Sequence, residues 1–259
     1  FFFLWLSFGN IELAALSFLP MAVSWLWILG LMSIFGIQFN IINIILATFI
    51  FGQGDDYTIF MTEGCQYEYA YGRRMLSSYK NSIVISSLIM FIGMGVLVLA
   101  KHPALRSLGQ VTVVGMFSVV LMAYLLPPFV FRIMVSHNGR LRNRPLTLKS
   151  LLMPRRYPQE CVAGQPLDYY KRYVRDAYYY CGSDIVRTVR KALDECTTLT
   201  ATDAGDGIEV AGGSYGAVAL LMSIANPTKT VYAAVDGDDD EAVCRNVACR
   251  ISGNIIIRK

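Results

Sequence analysis

At 259 residues, 54% apolar and only 16% charged, with a mean hydropathy of +0.44, the chain is too poor in charge for an ordinary soluble domain, which carries about 25%. A membrane region is therefore required before any segment is drawn. The formal net charge of +4 is modest, and no aromatic residues interleave with the basic ones in the manner of a nucleic-acid surface, so nucleic acid is not an expected partner.

Charges are sparse from Phe1 to Val135 and dense from Ser136 onward. That asymmetry predicts a membrane region over 1–135 followed by a water-soluble tail. Phe1–Phe8 reads as the end of a spanning helix, and Gly9-Asn10 as a turn. Leu13–Phe35 is long enough to span at about 1.5 Å per residue, with Pro20 as an expected kink. Gly36 breaks the chain, and an apolar run continues from about Ile37 to Met61. Glu63–Asn81, with Arg73, Arg74 and Lys80, reads as a polar connector. Ser82–Ala100 and Leu108–Phe131 are further spans, joined by a turn at Lys101-His102-Pro103. The fold expected is an α-helical membrane bundle of about four full spans plus part of a fifth.

Within the run 37–61 lies Gly52-Gln53-Gly54-Asp55-Asp56-Tyr57. An ionised carboxylate at bilayer depth costs at least about 2.5–3.5 kcal/mol on insertion scales, so such residues face a bundle interior and usually carry function. Two neighbouring buried carboxyls resist simultaneous ionisation, and such a pair can take and release a proton near neutral pH. The plainer reading is a solvated helix end; Ile59, Phe60 and Met61 argue against it, because they continue the apolar helix. No Lys or Arg falls inside any expected span, so neutralisation is left to protonation or to a residue outside this chain. Gly52 lies one turn before Asp56, and Gly52 and Gly54 would let a facing helix approach. Asn40 and Asn43 suit helix-to-helix hydrogen bonds, and His102 reads as a solvated turn residue.

After the membrane region, 136–166 reads as a basic, Pro-containing linker. Its cluster Arg140, Arg142, Arg144, Lys149, Arg155 and Arg156 marks the cytoplasmic side by the positive-inside rule and suits contact with anionic headgroups. Residues 167–206 form a Tyr-rich helical connector. From Gly207 the pattern turns to α/β: strands at Ile208–Ala211, Thr230–Val235 and Asn254–Ile257 alternate with helices at Ala217–Ala225 and Glu241–Ile251. This is the start of a βαβαβ domain over 207–259, incomplete as it stands. The opening Phe1-Phe2-Phe3 without a Met, and the close within a strand, read as a piece of a longer chain; no signal peptide is expected. Cysteines 65, 161, 181, 196, 244 and 249 form no C-x-x-C pair, so neither a disulfide framework nor a metal site is expected.

Gly36-Ile37-Gln38-Phe39-Asn40, Gly52 to Tyr57, and His102-Pro103-Ala104-Leu105-Arg106-Ser107-Leu108-Gly109, in this order and spacing, resemble the RND superfamily, and within it the MMPL-type lipid exporters. The resemblance covers Phe1–Met134, one of the two membrane halves of such transporters. It implies proton-driven export of a lipid or other amphiphile across the bacterial inner membrane, powered by the proton gradient, with the tail cytoplasmic. The missing N-terminal half and membrane lipids are the implied partners. The family's Asp-Tyr relay pair maps onto Asp56 and Tyr57. Asp55 stands at a position often apolar in MMPL-type members, though some other RND pumps have two aspartates there.

The tail from Gly207 resembles the opening of a class I methyltransferase-like Rossmann domain. The resemblance implies S-adenosylmethionine as cofactor, with Gly212 and Gly216 in the glycine turn and Asp236 at the end of the second strand holding ribose hydroxyls. Ser214 replaces the middle glycine, and Glu209 sits one residue off the usual acid. Three functions compete: a proton-coupled exporter, a membrane-anchored methyltransferase or other lipid-modifying enzyme, and an assembly or sensing module. The aspartates favour the first, since an anchor has no need of carboxylates at depth.

Overall fold

The computed structural model describes residues 1–36, 41–137, 140–152, 164–197, 203–204, 207–210, 213–251 and 254–258. The chain divides into two compact units. One comprises Phe1–Cys65 with Arg74–Arg132, the other Gln66–Arg73 with Ile133–Lys259.

Among the described residues, the elements of the first unit are all helices. α1 (Phe2–Phe8) ends at Gly9, whose φ of 65° turns the chain while its N–H bonds the Trp5 carbonyl. α2 (Ile11–Ile34) keeps Pro20 inside an unbroken helix, and the Ser24 hydroxyl donates to the Pro20 carbonyl at 2.6 Å. α3 (Ile41–Tyr71), α4 (Leu76–Gly95, extended by a 3-10 turn at Val96–Leu99) and α5 (Pro103–Val135) follow. Among the described residues, three helices are long and apolar enough to cross a membrane: Ile11–Ile34, Leu76–Leu99 and Pro103–Val135. α3 has the length, at 31 residues, but carries Gln53, Asp55, Asp56 and Glu63 along it.

Among the described residues, two apolar clusters join these helices. Ile28, Met32, Ile50, Val111 and Val119 form one; Tyr57, Met61, Ile83, Met116 and Ala123 form the other. Much of α4 turns apolar side chains outward, with Ile85, Leu88, Ile89, Ile92 and Leu99 all exposed. A continuous apolar face of that kind belongs against lipid or another apolar partner.

The expected connector at 63–81 is not one. α3 runs ten residues beyond Met61, and α4 begins six residues before Ser82, leaving Gly72–Met75 between them. The reason lies in spacing: Thr62, Cys65, Gln66, Tyr69 and Ala70 are all buried, at the three-and-four interval of one helical stripe. The polar residues between them lie on the other face and mask the period. Gly72, at φ 67°, ends the helix by bonding the Glu68 carbonyl at 3.0 Å.

In the second unit, β1 (Ser136–His137) and β2 (Arg140–Leu141) form an antiparallel hairpin. The Arg142 N–H bonds the Val135 carbonyl and the Leu146 N–H the Met134 carbonyl, each at 2.8 Å. The start of the expected linker is therefore folded back, through Arg142 and Leu146, onto the last carbonyls of α5, which a helix end leaves unsatisfied. α6 (Leu148–Leu152) follows; residues 153–163 of the expected linker lie outside the described residues.

α7 (Leu167–Ala177) and the turn that joins it to α8 (Ser183–Glu195) supply a core of Tyr170, Tyr173, Tyr178 and Tyr180, all fully buried. Two of these find backbone partners at 2.7 Å: Tyr178 donates to the Tyr215 carbonyl and Tyr180 to the Leu146 carbonyl, as a buried phenol requires. The sheet has the order β3 (Asp203–Ala204), β4 (Gly207–Val210), β5 (Thr230–Ala234), β6 (Ile255–Arg258). β4, β5 and β6 are parallel, joined through α9 (Ala217–Ala225) and α10 (Asp238–Ile251); β3 is antiparallel. Ile208, Val231, Ala233 and Val235 pack with Ala219 and Met222 of α9. This strand-helix order is common to many folds, and nothing in it is peculiar to a cofactor-binding domain.

The cut between units falls within α3. Its last turns belong with the tail, where the Asn246 amide of α10 donates to the Tyr69 and Ala70 carbonyls at 2.7 and 3.0 Å. The Arg250 guanidinium lies over the Tyr69 ring, 4.3 Å from its centroid, and Arg73 faces Asp239 at 3.6 Å.

Candidate functional site

Asp55, Asp56 and Tyr57 lie in mid-helix, with α3 continuing fourteen residues beyond Tyr57. Successive residues turn by about 100°, and the three side chains meet different surroundings. Tyr57 is buried, 6% exposed, in the cluster with Met61, Ile83 and Met116. Its hydroxyl lies 3.4 Å from Ser86 Oγ, at the outer limit of a hydrogen bond. Asp55 is half-buried and Asp56 exposed. Among the described residues neither carboxylate takes part in an ion pair.

The two glycines differ. A Cβ built on Gly54 would stand 2.5 Å from Met21 Sδ and 2.7 Å from Val119 Cγ1, so α3 closes against both α2 and α5 at that point. Gly52, expected to admit a facing helix, is exposed, and a Cβ there would meet nothing within 4 Å. Close packing near the aspartates rests on Gly54.

A run of buried hydroxyls follows on the same helix. Thr58 Oγ1 donates to the Asp55 carbonyl at 2.9 Å, and Thr62 Oγ1 donates to the Thr58 carbonyl at 2.8 Å. Ser17 Oγ of α2 donates to Thr62 Oγ1 at 2.9 Å. Each hydroxyl thus satisfies its single proton within the apolar bundle. Sequence reading missed Ser17, Thr58 and Thr62, and took Ser86 only as a helix-packing residue. The four-residue spacing of Thr58 and Thr62 was a usable signal for the first face. Asn40 lies outside the described residues, as does the side chain of Asn43. His102 is exposed in the turn before Pro103.

In the tail, Gly212 lies outside the described residues. Gly213, Ser214, Tyr215 and Gly216 all have positive φ, from 57° to 95°. The Cβ position of Gly216 is occupied by the Cys244 side chain, so this glycine serves the packing of α10. Asp236 is exposed just beyond β5. Because β4 and β5 are parallel, the Gly213 loop and Asp236 follow the same ends of neighbouring strands. Burial pushes the Cys181 thiol up to about 11, against a smaller opposing effect of Arg250, and the Cys244 thiol also to about 11. Neither is a thiolate near neutral pH, which removes both from consideration as nucleophiles. Among the described residues no group of three or more His, Cys, Asp or Glu could hold a metal ion.

With this geometry in place, comparison with known proteins gives one match: the model of the MMPL family covers residues 11–164. No curated protein and no solved structure matches the chain.

Proposed function

Since this chain belongs to the MMPL family, and is therefore part of a multi-pass membrane transporter of RND type, we propose that it couples proton movement through Asp56 and Tyr57 to the export of a lipid or other amphiphile. The observation that carries this reading is the placement of two carboxylates in the middle of α3, flanked by apolar helices and without an ion-pair partner among the described residues. A carboxylate held there without a counter-charge is costly, and protonation removes the cost. Cyclic loading and release of a proton at Asp56 is the chemistry such a position supports. Asp55, half-buried on the adjacent face, is the second proton acceptor. Tyr57, with its ring anchored in the core and its hydroxyl toward Ser86, orients the pair. The other membrane half, in the same chain or a partner, faces the exposed Asp56; the tail lies in the cytoplasm at the bacterial inner membrane.

The test is proton flux in vesicles containing the native full-length protein under an imposed pH gradient. Asp56→Asn, which preserves shape and removes the proton site, abolishes flux and export together. Undiminished export by the variant, with the protein correctly inserted, overturns the reading.

A second reading concerns the tail and rests on the shared strand ends of the Gly213 loop and Asp236. An adenosyl cofactor such as S-adenosylmethionine would lay its backbone-facing portion along the loop and its ribose hydroxyls on Asp236; bound, it would supply an electrophilic methyl group. The loop departs from a full glycine cradle at Ser214, and Gly216 is filled by Cys244, so Asp236 and Gly213 carry the fit. Calorimetric titration of the full chain with S-adenosylmethionine decides it: heat that disappears in Asp236→Ala supports binding, and no heat removes the enzyme alternative.

A further inference from the structure

Val135 ends α5, and the hairpin begins at the next residue. The two 2.8 Å backbone bonds, Arg142 to Val135 and Leu146 to Met134, hold the returning strand against that helix end. This sets a depth. α5, at 33 residues, is longer than the roughly 30 Å bilayer core requires. Its apolar run closes at Phe131, before Arg132; the last turn of α5 therefore emerges at the headgroup layer, and a segment bonded to its last carbonyls lies in the same layer.

The side chains exposed here include Ile133, Arg140, Leu141, Leu148 and Leu152, with His137 and Ser150 exposed beside them. Leu148 and Leu152 stand one turn apart on α6 and share a face; Leu152 is 73% exposed. The neighbouring Arg144 is already engaged: it lies 4.6 Å from the Tyr173 ring centroid, with Nε 3.7 Å from Asp176. Arg140 has no ion-pair partner among the described residues. Exposed leucines interleaved with an unengaged guanidinium, at the end of a spanning helix, match the boundary between acyl chains and anionic phosphates.

We propose that the β1–β2 hairpin and α6 form an interfacial collar that docks on anionic phospholipid headgroups, Arg140 taking the phosphate and Leu141, Leu148 and Leu152 sitting in the acyl boundary below it. The collar is independent of the proton relay and of the tail's cofactor chemistry.

The experiment is native mass spectrometry of the full chain in detergent, titrated in parallel with phosphatidylglycerol and phosphatidylcholine. The wild type retains phosphatidylglycerol about fivefold better, the effect of one cation at an anionic surface. Arg140→Gln abolishes the preference, while Arg140→Lys restores it, because a cation of either kind serves. Leu148→Ser with Leu152→Ser lowers retention of both lipids without changing their ratio, which provides an arm that leaves Arg140 intact. An excess of inorganic phosphate leaves the retained lipid in place. Equal retention of the two lipids, a preference that survives Arg140→Gln, or full displacement by inorganic phosphate would each overturn the collar.

Discussion

Asp56 and Tyr57 are neighbours in sequence with opposite surroundings, one exposed and one 6% exposed in a core cluster. The contact of the Tyr57 hydroxyl with Ser86, at 3.4 Å, is too long to contribute much stability. Tyr57→Phe keeps the ring and loses the hydroxyl, so the melting temperature changes by little while proton flux falls if the phenol orients the relay; a variant with both unchanged removes Tyr57 from the mechanism. The glycines make a paired prediction. Gly54→Ala places a methyl group against Val119 and Met21 and costs about 1–3 kcal/mol, whereas Gly52→Ala enters open space on a helix and gains about 0.5–1 kcal/mol. Denaturation of the two variants side by side reads both signs.

At the scale of elements, α3 is the informative one. Its buried stripe of Thr62, Cys65, Gln66, Tyr69 and Ala70 carries it beyond the apolar run, and Asn246 satisfies two of its terminal carbonyls. Asn246→Ala leaves both without that donor. The expected loss is about 1–3 kcal/mol, the range for stranding buried polar groups. Hydrogen exchange localises it: amides at 66–71 open faster, while those of α9 and β5 are unaffected at low denaturant. Uniform acceleration across the tail would mean that the cap acts globally instead.

For the molecule as a whole, the buried tyrosines and thiols of the tail set an alkaline limit. Cys181 and Cys244 are pushed by burial from 9.0 to about 11, and burial raises Tyr69 from 10.0 to about 12 against the opposing Arg250 charge. The folded chain holds these protons more tightly than the unfolded chain does. Their contribution is therefore complete below about pH 9 and is lost as pH rises through 11 to 12, with a slope of about 1.4 kcal/mol per pH unit for each group titrating in the unfolded state alone. Thermal denaturation between pH 8 and 11, followed by tyrosine fluorescence, shows a fall that Cys181→Ala reduces; a flat profile would contradict the burial of these groups.

The membrane character, the succession of apolar helices and the acidic stretch at 52–57 were legible in the sequence, because transfer of apolar and charged groups depends on residue type and on runs of fixed length. So was the alternation of strands and helices after Gly207, since short apolar runs broken by Gly, Asn-Pro and Asp carry their own boundaries. The extent of α3 and the return of Arg142 and Leu146 onto the end of α5 were not, because a helix stripe shared with distant residues and backbone bonds to another segment's carbonyls leave no local pattern. Only the tertiary structure separated Gly54 from Gly52 and Arg144 from Arg140. Each pair is chemically identical, and the difference is what stands opposite: Met21 and Val119 against open space, Tyr173 and Asp176 against an unpaired surface. Residue chemistry determined that this chain enters a membrane and carries two adjacent carboxylates on a long helix; long-range packing decided which neighbours those residues meet.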